Sequence, residues 1–172
     1  MIEQSPCKDL ASVLEAQIEA CQELIALSEQ EQRLLLRNAP QDLAPILAAK
    51  GRCAQGLANL EASFHASLAD LRAELRLAPQ DDDPCNLHDI LPHLATPQES
   101  LLEGLWGSLR YCVRTLGRVH RTNALIVQSA LGQADALLCY WADATGVGRA
   151  YGSEGEIRAP HAWGSQALDR EV

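Results

Sequence analysis

The sequence predicts an all-α protein made of three long antiparallel helices in a coiled-coil-like bundle, with a flexible C-terminal tail. Hydrophobic residues make up 47% of the 172 residues but aromatic residues only 4%. A core of this composition consists mainly of Leu, Ala and Val, which suits the packing of helix on helix. Apolar residues also recur at steps of three and four over long stretches, which is the spacing of one helix face.

The first two predicted helices cover residues of about 6–37 and 42–77. Asn38 is able to adopt the left-handed conformation that closes a helix, and Pro40 prevents the first helix from continuing. Asp42 is a candidate N-cap of the second helix. Because the loop between the two helices is short, we expect them to lie antiparallel.

One part of the first helix departs from the apolar pattern. Ser28, Glu31 and Gln32 interrupt the apolar stripe that runs from Leu10 to Leu35. Polar residues on the inner face of a helix weaken its packing against apolar neighbours. We therefore expect this part of the helix to be looser or to face solvent.

A linker of residues 79–96 connects the second predicted helix to the third, which covers about 97–145. Leu87, Ile90, Leu91 and Leu94 in this linker can form a short helix that covers the end of the bundle. The sequence from Thr96 to Glu99 reads as a capping box with proline at the first helical position. The third helix is therefore expected to begin at this point, and it can bend at Gly107, Gly117 or Gly132.

Residues 146–172 are rich in Gly, Ser and charged residues, and we expect them to form a tail that is mobile in the isolated protein. Tyr151 and Trp163 are the large apolar side chains of this segment. In such a tail, aromatic residues are more often binding determinants than core residues. The predicted domains are thus a helical bundle over residues 1–145 and a tail over 146–172.

Charge and hydropathy exclude several classes of function. The net charge of −9 opposes binding to nucleic acid, because the phosphate backbone is also negative. Neither a signal peptide nor an apolar run long enough for a membrane span is evident, so we expect a cytoplasmic protein without membrane insertion. The six cysteines are widely spaced, which favours reduced thiols over a disulfide framework.

No pairing of a nucleophile with a base and no phosphate-binding loop is evident, so we predict that the protein is not an enzyme and needs no cofactor. Cys85, His88 and His93 have ligand-type side chains at short spacing and keep a metal- or thiol-dependent enzyme as a minor alternative. A structural zinc site needs four ligands, however, and Pro92 disturbs a regular helical presentation of these three.

The segment from Arg121 onward resembles the FlgN family, the type III export chaperones of the bacterial flagellum. The resemblance rests on an Asn in the last long helix, a following Leu-Ile pair, an apolar run, a glycine break and a Tyr-Gly-x-x-Gly motif. The corresponding residues are Asn123, Leu125-Ile126, Leu131 to Leu138, Gly146, and Tyr151-Gly152 with Gly155. The segment from Glu29 to Lys50 is similar to the first helix pair of the family, with a lysine midway along the second helix.

The resemblance implies a function and its partners. The family binds the hook–filament junction proteins FlgK and FlgL through their C-terminal helices and delivers them to the export gate protein FlhA. Substrate binding is then expected at Asn123, Ile126, Leu137, Leu138 and Trp141. Docking to the gate is expected at Tyr151, Gly152 and Gly155, although Ser153-Glu154 adds a charge at the variable positions of the motif.

The relative lengths of the helices support a binding role independently. If the third helix is continuous it is longer than the other two, and its distal part exposes Ile126, Leu137, Leu138, Tyr140 and Trp141. An exposed apolar patch of this kind indicates a partner. The alternatives are a homodimer that buries the patch, a helix that bends back at Gly132, and a structural coiled-coil protein that assembles through the same stripe.

Overall fold

A computed structural model of the protein describes residues 6–77 and 86–145. Within these ranges every regular element is helical, which confirms the predicted all-α class. The elements are α1 (Pro6–Leu36), a 3₁₀ turn (Pro40–Asp42), α2 (Leu43–Glu74), α3 (Leu87–Ile90), a second 3₁₀ turn (Leu91–His93) and α4 (Thr96–Thr145). The predicted tail, residues 146–172, and the start of the predicted linker lie outside the described residues.

The chain divides into two compact units, one ending at Ile126 and the other beginning at Val127. Side-chain contacts in the first unit establish the helix directions. Lys50, early in α2, contacts Glu31, late in α1, and these two helices are therefore antiparallel. Phe64 of α2 stacks on Trp106 of α4, with ring centroids 5.9 Å apart and an interplanar angle of 9°.

One hydrophobic core lies inside the first unit, and all four helices contribute to it. Its fully buried side chains include Leu10 and Leu14 of α1, Leu68 of α2 and Leu102 of α4. The periodic positions of these residues in the sequence place them on the inner faces of their helices. Burial of these apolar side chains is the main stabilising contribution to the bundle.

The short helix α3 covers part of this core, as the sequence predicts. Leu87, Ile90 and Leu91 are buried in the same cluster as the core residues of α1, α2 and α4. Asn86 caps α3, because its side-chain oxygen accepts a hydrogen bond of 3.3 Å from the backbone N–H of His88. Residues 87–91 of the linker therefore pack against the bundle.

The ends of α1 and α2 use the same backbone motif. Asn38 has φ of 52°, the left-handed conformation predicted for it, and Arg76 adopts a φ of 53°. In each case the next residue, Ala39 or Leu77, donates a hydrogen bond to a carbonyl five residues earlier. The left-handed Arg76 was not predicted, since this conformation favours Gly or Asn, and Leu77 compensates by packing against the core.

The starts of α2 and α4 differ in their capping from the sequence prediction. Asp42 stands before α2, but its backbone is helical because the 3₁₀ turn leads directly into α2, and its side chain makes no capping hydrogen bond. Thr96 is already part of α4, whose first helical hydrogen bond runs from the N–H of Glu99 to the carbonyl of Ala95. Ala95 therefore occupies the capping position that the sequence assigned to Thr96.

The second unit contributes the distal part of α4 to the described residues. α4 is one continuous helix from Thr96 to Thr145 and passes through Gly107, Gly117 and Gly132. None of the described helices combines the length and hydropathy that a membrane span requires.

Candidate functional site: a buried polar cluster and an exposed apolar helix

The predicted substrate-binding residues fall into two environments. In the first unit, Asn123 is buried and Ile126 is half-buried. In the second unit, Leu137, Leu138 and Trp141 are exposed, and they follow one another within two turns of α4. The structure thus separates one polar residue inside the bundle from a group of large apolar side chains in contact with solvent.

Asn123 belongs to a polar cluster that joins all three long helices. Its Nδ2 donates to the backbone carbonyl of Ser28 at 2.8 Å and to Oε2 of Glu31 at 2.9 Å. The same oxygen of Glu31 accepts a hydrogen bond of 2.6 Å from Nζ of Lys50. Oγ of Ser28 and Nε2 of His120 share a further hydrogen bond of 3.1 Å. The cluster therefore fixes the register of α1, α2 and α4 relative to one another.

The surroundings of Glu31 and His120 determine the charge of each side chain. Burial raises the pKa of Glu31, but the hydrogen bonds from Lys50 and Asn123 and the nearby positive charge outweigh this effect, so that the pKa is lowered overall. Burial and the neighbouring Lys50 lower the pKa of His120 below its ordinary value of 6.5. At neutral pH the cluster therefore holds an ionised Glu31, which accepts hydrogen bonds from two donors, beside a neutral His120.

This arrangement corrects the expectation for the polar interruption in the first helix. Ser28 is fully buried and Glu31 is largely buried, so this part of α1 is neither loose nor turned to solvent. The interruption in the apolar stripe is the sequence signal of a buried polar cluster, but it does not show which residues of α2 and α4 complete it. His120 of α4, which is exposed, is one of them, through its hydrogen bond to Ser28.

We expect replacement of Asn123 by alanine to lower the free energy of unfolding by about 1–3 kcal/mol, because it leaves a buried carbonyl and part of a carboxylate without their donor. Replacement by aspartate should cost more, since a second carboxylate would lie beside Glu31. Urea unfolding followed by circular dichroism measures both losses. Asn59→Asp, at an exposed position of α2, is the matched control, and an equal loss there would contradict a role for the cluster.

The distal part of α4 has a different character. Among residues 122–142, Asp135 is the single charged residue of an otherwise uncharged helical stretch. The exposed large apolar side chains of this stretch are Leu125, Val127, Leu131, Leu137, Leu138, Tyr140 and Trp141. Solvent-exposed helices ordinarily carry charged residues on their outer face, and exposed apolar side chains at this density indicate a binding site.

The remaining predicted site residues belong to the C-terminal tail and to the linker between α2 and α4. Tyr151, Gly152 and Gly155 lie outside the described residues, and so does Cys85. His88 and His93 are exposed on either side of Leu91. No group of three or more metal-type ligands occurs in the described parts of the chain.

The FlgN protein family matches residues 6–159, which include all four helices and the Tyr-Gly-x-x-Gly motif. No curated protein and no solved structure matches the chain. The family match covers most of the 172 residues and agrees with the helical architecture. The chain therefore belongs to the FlgN family, a family of chaperones for the export of flagellar proteins.

Proposed function

We propose that the protein binds the hook–filament junction proteins FlgK and FlgL in the cytoplasm and delivers them to the export gate protein FlhA. The single observation that carries this proposal is the exposed, nearly uncharged apolar stretch of α4 in the second unit, between Val127 and Trp141. An apolar helix surface in a family of export chaperones is suited to an apolar segment that must remain unassembled before export.

The expected mode of binding is helix against helix. Leu137 and Trp141 are four residues apart, and Leu138 and Trp141 three residues apart, so that all three side chains share one side of α4. The apolar face of an amphipathic helix from the C-terminus of a junction protein can pack against this side. Ile126 lies in the first unit, where it is half-buried, and its contact with a substrate stays a prediction.

Asn123 has a supporting role in this proposal. Its amide is engaged within the bundle and holds α4 against α1. A direct contact between Asn123 and a substrate stays a prediction, and it would require the polar cluster to rearrange. Binding of the substrate to an Asn123→Ala variant that remains folded would distinguish the two roles, because a supporting residue affects stability more than affinity.

The direct test is titration of the purified chain with the C-terminal helices of FlgK and FlgL in a calorimeter. Saturable binding of these segments is expected, with a negative heat-capacity change because apolar surface is buried. A helical segment from an axial protein outside the junction is the control. Absence of detectable binding of both segments, or equal binding of the control segment, would contradict the proposal.

Delivery to the gate gives a second prediction, at Tyr151. Tyr151→Ala should retain binding of the junction proteins but lose binding to the cytoplasmic domain of FlhA, because tyrosine offers a large contact area with one polar group. Calorimetry with each partner separately measures the two affinities. Tyr140→Ala, which changes an exposed tyrosine of α4, is the matched control. Unchanged affinity of Tyr151→Ala for FlhA would contradict the assignment.

A further inference from the structure

A second surface of α4 lies wholly within the first unit and is distinct from the proposed substrate surface. It is formed by residues 103–118 and consists of Glu103, Gly104, Gly107, Arg110, Tyr111, Arg114 and Arg118. All of these residues are exposed, and Tyr111 keeps 69% of its surface accessible. A helix turns by about 100° per residue, which brings these positions to one side of α4, away from the buried Leu102 and Leu109.

A hollow borders this surface. It has a volume of about 570 Å³ and lies between α1 and α4. Its lining residues are Ile18, Gln22, Ile25, Gly104, Gly107, Ser108, Tyr111 and Cys112. A cavity of this size is within the range of sites that receive a drug-sized molecule or large side chains.

Gly104 and Gly107 have no side chains that project from this surface. The packing of the protein itself does not require glycine at either position. A Cβ atom at Gly104 or Gly107 would meet nothing within 4 Å. Glycine in a helix interior costs about 1 kcal/mol relative to alanine. Small residues at a helix surface allow another helix to approach closely, and the hollow beside them leaves room for a protruding side chain.

The charges along this surface are separated by sign. Glu99 and Glu103 precede the glycines, and Arg110, Arg114 and Arg118 follow them. None of the three arginines makes a salt bridge within the described residues, and neither does Glu103. Such a surface is self-complementary, because reversing the direction of one helix places the acidic end of one copy on the basic end of another.

We propose that two copies of the chain associate through antiparallel pairing of α4 across this surface. With the twofold axis near Ser108 and Leu109, Glu103 of one copy lies opposite Arg114 of the other, and Glu99 opposite Arg118. Tyr111 of each copy then lies over Gly107 of the other, beside the hollow. Each contact occurs twice, as twofold symmetry requires.

The charges also select this direction over the parallel one. In a parallel pair related by a twofold axis along the helices, Glu103 would face Glu103 and Arg114 would face Arg114. Like charges opposite each other disfavour such a pair, whereas the antiparallel pair matches Glu103 with Arg114 and Glu99 with Arg118, and leaves Arg110 opposite Gly107. One helix crossing buries less surface than a standard protein interface, so we expect a reversible dimer with concentration-dependent dissociation.

Sedimentation equilibrium of the full chain, in a reducing buffer that keeps the exposed thiol of Cys139 from cross-linking, tests the proposal. A monomer–dimer equilibrium is expected that weakens as salt is added. Gly107→Leu should weaken the dimer at least about tenfold, because the side chain prevents close approach of the helices. Gly56→Leu is the matched control, since Gly56 is also an exposed helical glycine with open space around it.

A charge exchange provides the sharper test. Glu103→Arg and Arg114→Glu should each weaken the dimer by about tenfold, because two matched pairs per dimer become like-charge pairs. The double variant restores the matching in both copies and should restore the parent affinity. Circular dichroism checks that all variants remain helical, and these results do not depend on whether the chain binds junction proteins.

Two results would overturn the proposal. One is a dimer that responds equally to Gly107→Leu and Gly56→Leu and is not rescued by the double charge exchange. The other is a parent chain that stays monomeric at all concentrations. If, in addition, Gly107→Leu reduced the binding of a junction-protein helix, this surface would belong to the exported partner instead of a second copy.

Discussion

Leu68→Ala is expected to lower the free energy of unfolding by about 2–5 kcal/mol, which is the range for removal of a buried leucine side chain. Leu68 has no exposed surface and belongs to the core cluster that joins α1, α2, α3 and α4. Removing its side chain leaves a cavity, because the neighbouring side chains belong to several helices and can relax into it only partially. Urea denaturation followed by circular dichroism measures the loss, which should appear as a lower midpoint with an unchanged m-value.

Two further leucines of α2 serve as controls for this prediction. Leu57 is only partly buried and packs at the border of the core, so Leu57→Ala should cost less than Leu68→Ala. Leu47 keeps 49% of its surface exposed, and Leu47→Ala should change stability by no more than about 0.5 kcal/mol. Equal losses at all three positions would show that the inner face of α2 has been misassigned.

The helices of the bundle could be predicted from local patterns in the sequence. The three- and four-residue spacing of leucines indicates the inner faces, and Asn38 and Pro40 indicate the turn between α1 and α2. The packing of Leu87, Ile90 and Leu91 was also predictable, because the three apolar residues share one side of a short helix. These features depend on neighbouring residues, and a single sequence contains that information.

The polar cluster could not be predicted in the same way. Ser28, Lys50 and Asn123 are far apart in the chain, and their contacts depend on the relative register of three helices. The sequence shows only that polar residues occur within apolar stripes, and such residues can face solvent or one another. The left-handed Arg76 is a comparable case, because the packing of Leu77 outweighs the local preference for glycine.

The exposure of the apolar side chains in the distal part of α4 could be predicted, since these side chains are local features, whereas their role in substrate binding stays a prediction. Leu137, Leu138 and Trp141 are exposed, as expected for a binding surface. Which partner covers them is not encoded in the periodicity of the helix. The family match supports an exported flagellar protein.

Trp141→Ala is expected to weaken binding of the junction proteins by about 2 kcal/mol or more, the loss typical of an interface hot spot. That loss corresponds to roughly 30-fold in the dissociation constant. Trp141 is 63% exposed in the isolated chain, so a helix that covers it would bury a large aromatic surface. Calorimetry with the C-terminal helix of each junction protein measures the change, and circular dichroism checks that α4 remains helical.

Tyr140→Ala is the matched control, because Tyr140 is also an exposed aromatic residue but lies about 100° around the helix from Trp141. A smaller loss of affinity is expected there than at Trp141. Equal losses for the two variants would indicate that the partner contacts α4 without a preferred side. A loss of helicity together with binding in Trp141→Ala would instead assign Trp141 a role in the stability of the helix, and the substrate surface would then have to be sought on Leu137 and Leu138.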